Sequence, residues 1–342
     1  MLEGGKVVRL AEQEGPARYL IARESNVTPR AGEVLVRVHA SSLNFHDYAV
    51  VTGMLGPRPG VTPMSDGAGV VEAVGDGVTE FASGDLVMSL FFPEWRDGPV
   101  GGANRRVMPG DLGDGFAAEW VTRPAHWFTR IPKGYTLTEA ASLPCAALTA
   151  WRALIVEARV KPGDWVVTQG TGGVSLFAVQ FAKAAGARTI ASSSSEAKLE
   201  RLKQLGVDHV INYRSTPDWA RVVREASSGG ADVVVEIGGA GTLNQSIRAV
   251  RPGGCIVLIG TLAGLHGDVA TRDIMANNLR LQGITVGSRA HQLDMIRAIE
   301  ANGVRPIMDR HFPLEGLADA FVYQASGAHF GKVMVDIAGP RR

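Results

Sequence analysis

The sequence is short of the residues that would announce several functions. Cys145 and Cys255 are its only cysteines in 342 residues, too few for a disulfide framework or a four-thiolate metal site. Net charge is nearly absent: 35 Lys and Arg stand against 34 Asp and Glu, a formal +1, so bulk electrostatics offers nothing to a polyanion. Aromatic residues make up 6% of the chain and form no basic aromatic patch of the kind that binds RNA. No apolar run reaches the roughly 18 residues that a membrane helix needs. The opening stretch MLEGGKVVRLAEQEG lacks the apolar core of a secretory leader. Together these absences lead to the expectation of a cytoplasmic protein with no nucleic-acid and no membrane partner.

What is present suits a two-domain α/β protein. A chain of 342 residues with 45% hydrophobic content is too long for one ordinary core. Up to about residue 145 the texture is Gly- and Pro-punctuated, with short alternating runs such as EVLVRVHA and GAGVVEAVG that predict small antiparallel strands. Beyond it, five-residue apolar runs alternate with helical patterns: WVVTQ then VSLFAVQFAKAAG, RTIAS then EAKLERLKQLG, HVI, DVVVEIGG then TLNQSIRAV, CIVLIG, and LQGITVG. Near-continuous apolar strands linked by helices predict a parallel sheet covered on both faces, a doubly wound Rossmann-type domain over residues 146–289. The tail from residue 290 opens with the helix QLDMIRAIEANG and closes with GKVMVDI. Its terminal strand must find a sheet edge, which places 290–342 with residues 1–145 in a second, mainly β domain.

The strand WVVTQ runs into Gly170, Thr171, Gly172 and Gly173, and a helix follows from Val174. Such a turn lets backbone N–H groups and a helix N-terminus approach a pyrophosphate. Ser175 takes the third glycine position of the dinucleotide fingerprint. The acid that would bind the adenosine ribose should end the second strand, about 20 residues after the glycines; Ser192 and Ser193 stand there, opening a run of four serines. Without a carboxylate the site does not repel a 2′-phosphate, and hydroxyls can donate to one. Lys198 follows five residues on and Tyr213 lies just after the third strand. The expected cofactor is therefore NADPH, with Ser193, Lys198 and Tyr213 around its 2′-phosphate.

The segments HASSLNFHDYAVVTG, PMSDGAGVVEAVGDGVTEFASGDLV, GFAAEWV and AASLPCAALTAWRAL, with the glycine turn, resemble the medium-chain dehydrogenase/reductase superfamily over essentially the whole chain. They look most like its zinc-free quinone and enone reductase branch. The resemblance implies a GroES-like first domain, and it aligns Asn44, Ser65 and Cys145, with Asp66 following, to the positions that carry zinc ligands in zinc-dependent relatives. One thiolate cannot make a three-ligand catalytic site. The stretch corresponding to the structural-zinc lobe holds no cysteine, and the eight histidines show no metal spacing. No metal is expected. Hydride transfer to a quinone or an α,β-unsaturated carbonyl is, because such an acceptor is already polarised and needs only a hydrogen-bond donor at its oxygen.

By the same resemblance Asn44 and Asp47 form the Asn-x-x-Asp pattern of the zinc-free branch, with Asn44 near the nicotinamide ribose. Thr149, Gly260, Thr261, the run Gly287, Ser288 and Arg289, and Phe330 with Lys332 correspond to further contacts with the nicotinamide and phosphates. His46 and Tyr48 flank Asp47, and either could deliver a proton. His46 stands where zinc enzymes carry a proton-relay hydroxyl; quinone reductases commonly have a tyrosine two residues after the aspartate, where this chain has Ala49. Homodimerisation through the nucleotide-binding domain is expected. Alcohol/ketone oxidoreduction, or NADPH binding in a structural role with little turnover, are the alternatives.

Overall fold

The computed structural model describes residues 4–11, 19–25, 28–56 and 58–339. The first strands are β1 (Gly5–Leu10), β2 (Tyr19–Glu24) and β3 (Glu33–Ser42), followed by helix α1 (Phe45–Val51). Strands β4 (Ala68–Val74), β5 (Leu86–Ser89), β6 (Trp120–Pro124) and β7 (Phe128–Arg130) lead to α2 (Leu137–Ala141). Residues 143–157 wind continuously, α3 (Leu148–Trp151) lying between two π-helical stretches. A regular alternation then begins: β8 (Trp165–Gln169), α4 (Gly173–Ala184), β9 (Arg188–Ser193), α5 (Glu196–Gln204), β10 (His209–Asn212), α6 (Trp219–Ala226), β11 (Ala231–Glu236), α7 (Ala240–Ala249), β12 (Val250–Leu258), α8 (Thr271–Ala276) and β13 (Arg280–Gly283). The chain closes with α9 (Arg289–Asn302), β14 (Met308–Pro313), α10 (Leu317–Ala325) and β15 (Lys332–Asp336).

These elements form two compact units, Met1–Leu148 with Gly287–Arg342, and Thr149–Val286. In the second unit the strand order is β10-β9-β8-β11-β12-β13, and every pairing is parallel. Counted from β8 this is the 3-2-1-4-5-6 order of a doubly wound dinucleotide fold, whose switch point lies between β8 and β11. The apolar runs explain the burial: Val166, Val167, Ile190, Val233, Val234, Ile256 and Val257 are all nearly inaccessible, as two-face coverage demands.

The first unit is mainly antiparallel, with the sheet order β14-β15-β3-β4-β5-β7 and β6 added to β3. Its core gathers Val34, Val36, Val71, Phe116, Phe128, Leu317 and Phe321. The terminal strand does return to this sheet, but in its interior: β15 lies antiparallel to β3 and parallel to β14, and β14 takes the edge. Among the described residues no helix is long and apolar enough to cross a membrane.

Candidate functional site

At the carboxyl end of β8 the chain turns through Gly170, whose φ of +72° strains any residue with a Cβ. Its N–H is tied to the Ser192 carbonyl at 2.8 Å. Gly172 caps α4 with no side chain over the helix end, so the N–H groups of Gly173 and Val174 face outward at the positive pole of a 12-residue helix. Ser175 is buried and donates to the Gln169 carbonyl at 2.6 Å, which locks the turn to the strand.

The switch point carries a network that sequence inspection missed. Glu236, at the end of β11, is fully buried and lies among neutral donors alone. One oxygen accepts from Gly238 N at 2.7 Å, Gly239 N at 3.0 Å and Thr242 Oγ1 at 2.5 Å. The other accepts from Gln169 Nε2 at 2.7 Å and from Ser246 Oγ. Gln169 Oε1 in turn accepts from the N–H groups of Ile237 and Gly238. The carboxylate thus ties β8 to the 237–239 loop and to α7. Gly260 lies against that loop so closely that a Cβ would meet the Ile237 carbonyl oxygen at 2.5 Å, while Thr261 is exposed beside it. The available signal was the charge at the end of an otherwise apolar strand, DVVVEIGG.

The serines shape the entry to α5. Ser193 is buried and accepts from Ser195 N at 3.3 Å; Ser195 caps α5 by accepting from Lys198 N at 3.5 Å. The register sets Ser193 opposite Asn212, and Tyr213 N donates to the Ser193 carbonyl at 3.2 Å. The backbone of Tyr213 and the first turn of α5, which carries Lys198, thus lie by Ser193 and Ser195 at the carboxyl ends of β9 and β10. An acid stands with them after all: Glu196, in the first turn of α5, accepts from Asn212 Nδ2.

In the other unit Asn44 begins α1, and Asp47 on the first turn reaches back to it. The Asp47 carboxylate, 1% exposed, accepts from Asn44 N and Ser65 N, each at 2.8 Å. It is a brace between α1 and the Ser65 segment, and both oxygens are engaged, which removes it from proton transfer. The Asn44 amide is held from both sides. Its Nδ2 donates to Asp66 Oδ2 at 2.8 Å and to Ser65 Oγ at 3.3 Å, while its Oδ1 accepts from Lys332 Nζ at 2.5 Å. Lys332 is only 3% exposed. Its ammonium also donates to the Leu43 carbonyl at 2.7 Å and lies 3.7 Å from Asp66 Oδ2. Lys332, expected with Phe330 among the contacts to the nicotinamide and phosphates, directs two hydrogen bonds of its ammonium to groups of the first unit.

Asp66 is itself inaccessible, and Ser42 Oγ adds a hydrogen bond of 2.9 Å. Burial pushes its carboxyl up to about 6, against the pull of Lys332 in the opposite direction. Its Oδ1 has no hydrogen-bond partner among the described residues. Burial likewise pushes the Cys145 thiol well above its ordinary range. Gly287 lies against Leu148. Ser288 caps α9 by accepting from His291 N at 3.2 Å, Arg289 pairs with Glu80 at 3.0 Å, and Phe330 is buried. Thr149 is buried at the start of the second unit.

His46 and Tyr48 are separated. Two residues apart on one helix, they face different sides: Tyr48 packs on the first unit's core, while His46 turns to Asp111, 3.5 Å from its Nε2, with the edge of Phe91 against its ring.

Residues 30–133 match the family model described as the alcohol dehydrogenase GroES-like domain, and residues 173–301 the one described as zinc-binding dehydrogenase. A zinc-type alcohol dehydrogenase-like protein of Schizosaccharomyces pombe is 41% identical over 337 residues, covering 95% of this chain and 96% of that protein. Human quinone oxidoreductase is 27% identical over 335 residues, 94% of this chain and 95% of its own. Among solved structures, a Sinorhizobium meliloti 1021 protein assigned as an alcohol dehydrogenase matches with a TM-score of 0.92 at 37% identity, covering 98% of this chain and 100% of that one. A 2-octenoyl-CoA carboxylase reductase in complex with NADP and 2-octenoyl-CoA matches with a TM-score of 0.88 at 25% identity, over 100% of this chain and 89% of that one.

Proposed function

The chain belongs to the medium-chain dehydrogenase/reductase superfamily of nicotinamide-dependent oxidoreductases, and from that premise we propose that it transfers hydride from NADPH, without zinc, to a quinone or to the activated C=C bond of an α,β-unsaturated carbonyl. The observation that carries this reading is the Lys332 ammonium. The residues at the positions that zinc ligands take in relatives do not fit that metal. Asn44, Ser65 and Cys145 offer one thiol, an amide with both ends already engaged, and a hydroxyl. The Lys332 ammonium lies on that amide and 3.7 Å from Asp66, and both oxygens of the neighbouring Asp47 carboxylate are already engaged by backbone N–H groups. A divalent cation placed there would be repelled by the ammonium and would lack a third anionic or imidazole ligand.

With no metal to polarise an alcohol or a ketone, an acceptor that is already electron-poor is the substrate class the site suits. That human quinone oxidoreductase and a 2-octenoyl-CoA carboxylase reductase are among the similar proteins supports the same class. Alcohol/ketone oxidoreduction is the second reading, favoured by the name of the Schizosaccharomyces pombe relative.

NADPH is preferred on this reading because no carboxylate ends β9. The buried Ser193, the first turn of α5 and the Tyr213 backbone make a hydroxyl- and amide-lined corner there. Glu196 opposes a phosphate in the same corner. The chain is further proposed to pair as a homodimer along β13, the edge strand of the parallel sheet, where an unpaired edge invites a partner. The deciding experiment follows NADPH and NADH oxidation with a panel of enones, quinones and ketones, with and without chelator, alongside the metal content of the purified protein. Ketone turnover that is lost with a stoichiometric zinc would transfer the reading to the alternative.

A further inference from the structure

Loop 108–113 carries an acidic residue that nothing in the sequence pattern singled out. Asp111 is 3% exposed and accepts from Arg58 Nε at 2.7 Å through Oδ1, while Oδ2 lies 3.5 Å from His46 Nε2. The loop holding it is pinned. Pro109 and Gly113 bridge, Gly110 N donates to the Gly113 carbonyl at 2.8 Å, and Asp111 N donates to the Met108 carbonyl at 3.1 Å. Gly110, at φ +84°, lies so close to Met64 that a Cβ would meet its backbone at 2.8 Å. Met64 is itself fully buried at φ +79° and directly precedes Ser65 of the Asn44 network. Asp111 is thereby fixed relative to the segment that braces α1.

On the imidazole, Nε2 is buried and has no hydrogen-bond partner among the described residues, although the side chain as a whole is 21% exposed. Nδ1 is the ring nitrogen that is not turned to Asp111. The titratable and charged groups around it are Asp111, Arg58 behind it, and Asp47 and Tyr48 on its own helix. Asp47 is spent on the N–H groups of Asn44 and Ser65, Tyr48 packs on the core, and Phe91 brings no charge.

We propose that Asp111, held by Arg58, is the positioning residue that fixes the proton of His46 on Nε2 and so presents Nδ1 as the proton-delivering atom of the reductase. This rests on the reductase reading above. Bound NADPH would supply a hydride with its electron pair to the β-carbon, and the π pair of the C=C bond would form an enolate. The imidazolium releases its Nδ1 proton to that enolate and regains one from solvent, while the other proton stays on Nε2, facing the Asp111 carboxylate, throughout. NADPH leaves as NADP⁺ and the product carries one hydride and one proton.

The geometry dictates what Asp111→Asn should do. Arg58 Nε is a donor only, so the amide must turn its oxygen to Arg58 and its NH₂ to His46. An NH₂ facing Nε2 forces the proton onto Nδ1, the reverse of the wild-type tautomer. The experiment is ¹⁵N NMR of the full chain labelled at histidine, with His46 assigned through His46→Gln. Expected are the Nε2–H tautomer in neutral wild-type His46 and the Nδ1–H tautomer in Asp111→Asn. Turnover of the best enone or quinone should fall about 100-fold in Asp111→Asn with KM for NADPH unchanged, the low end of general-acid effects. Arg58→Lys should keep most of the turnover and Arg58→Met should lose it. An Nδ1–H tautomer in the wild type, or wild-type turnover in Asp111→Asn, would overturn the assignment. A chain that reduces no member of the panel sinks the reductase reading, while the tautomer measurement still decides the Asp111–His46 pairing.

Discussion

Replacing Asp66 by Asn separates the electrostatic cost of the buried network from its shape. The carboxyl accepts from Asn44 Nδ2 and Ser42 Oγ through Oδ2 alone, and an amide oxygen can accept both, so the substitution removes charge while leaving the hydrogen bonds. Burial raises the Asp66 carboxyl from 3.8 to about 6 even though Lys332 pulls it down. Between those values the folded chain holds a proton that the unfolded chain has released. Its stabilising share is therefore fully present below 3.8 and is lost as pH rises through about 6. The gap corresponds to about 3 kcal/mol, of which about 2 kcal/mol falls between about pH 4.5 and about pH 7.5. The Asn side chain has no such dependence.

Urea unfolding of both proteins across that range should show the variant gaining on the wild type as pH rises, by about 2 kcal/mol. Other carboxylates, such as Asp85 and Glu315, whose pairing with Arg130 and Lys6 lowers them, cancel in the difference. Curves that run parallel from acid to neutral pH would refute the reasoning. They would mean that Asp66 is as well solvated by Asn44, Ser42 and Lys332 as by water.

Three further outcomes follow from the same coordinates. Ser193→Asp should reverse the order of kcat/KM for NADPH and NADH, and Glu196→Gln should raise the NADPH preference up to about tenfold by removing the one opposing charge in that corner; cofactor ratios untouched by both changes would leave the serines a simple helix entry. Glu236→Gln puts an amide NH₂ against donors on at least one side of the network and should destabilise the second unit by about 3 kcal/mol or more. It should also weaken NADPH binding, which calorimetry on the folded variant at low temperature would register. Arg159→Gly should stabilise by about 1 kcal/mol, since an exposed arginine at φ +55° sits in the left-handed region that glycine enters freely; an unchanged or lower Tm would contradict it.

Much of the scaffold was legible because its signals are local. Strand β8, the glycine turn and α4 announce themselves in WVVTQGTGGVSLFAVQFAKAAG, since an apolar strand, a positive-φ glycine and a helical period each act over a few residues. The alternation of strands and helices likewise prescribes a parallel sheet. The two cysteines, read from composition alone, argued against a disulfide framework or a four-thiolate site; that Asn44, Ser65 and Cys145 stand at zinc-ligand positions was implied only by the family resemblance.

Only the tertiary structure decided what fills that place. Lys332 is 288 residues from Asn44, and nothing local distinguishes an ammonium that meets a phosphate from one buried on an amide. The antiparallel register of β15 on β3 brings the two together. Asp111 reaches His46 through a loop whose shape depends on Gly110 docking against Met64, and Glu236 reaches Gln169 across two parallel strands. Charges and hydroxyls carry no periodicity of their own; which of them meet is set by sheet register and loop docking, and those are settled by burial of the apolar residues around them.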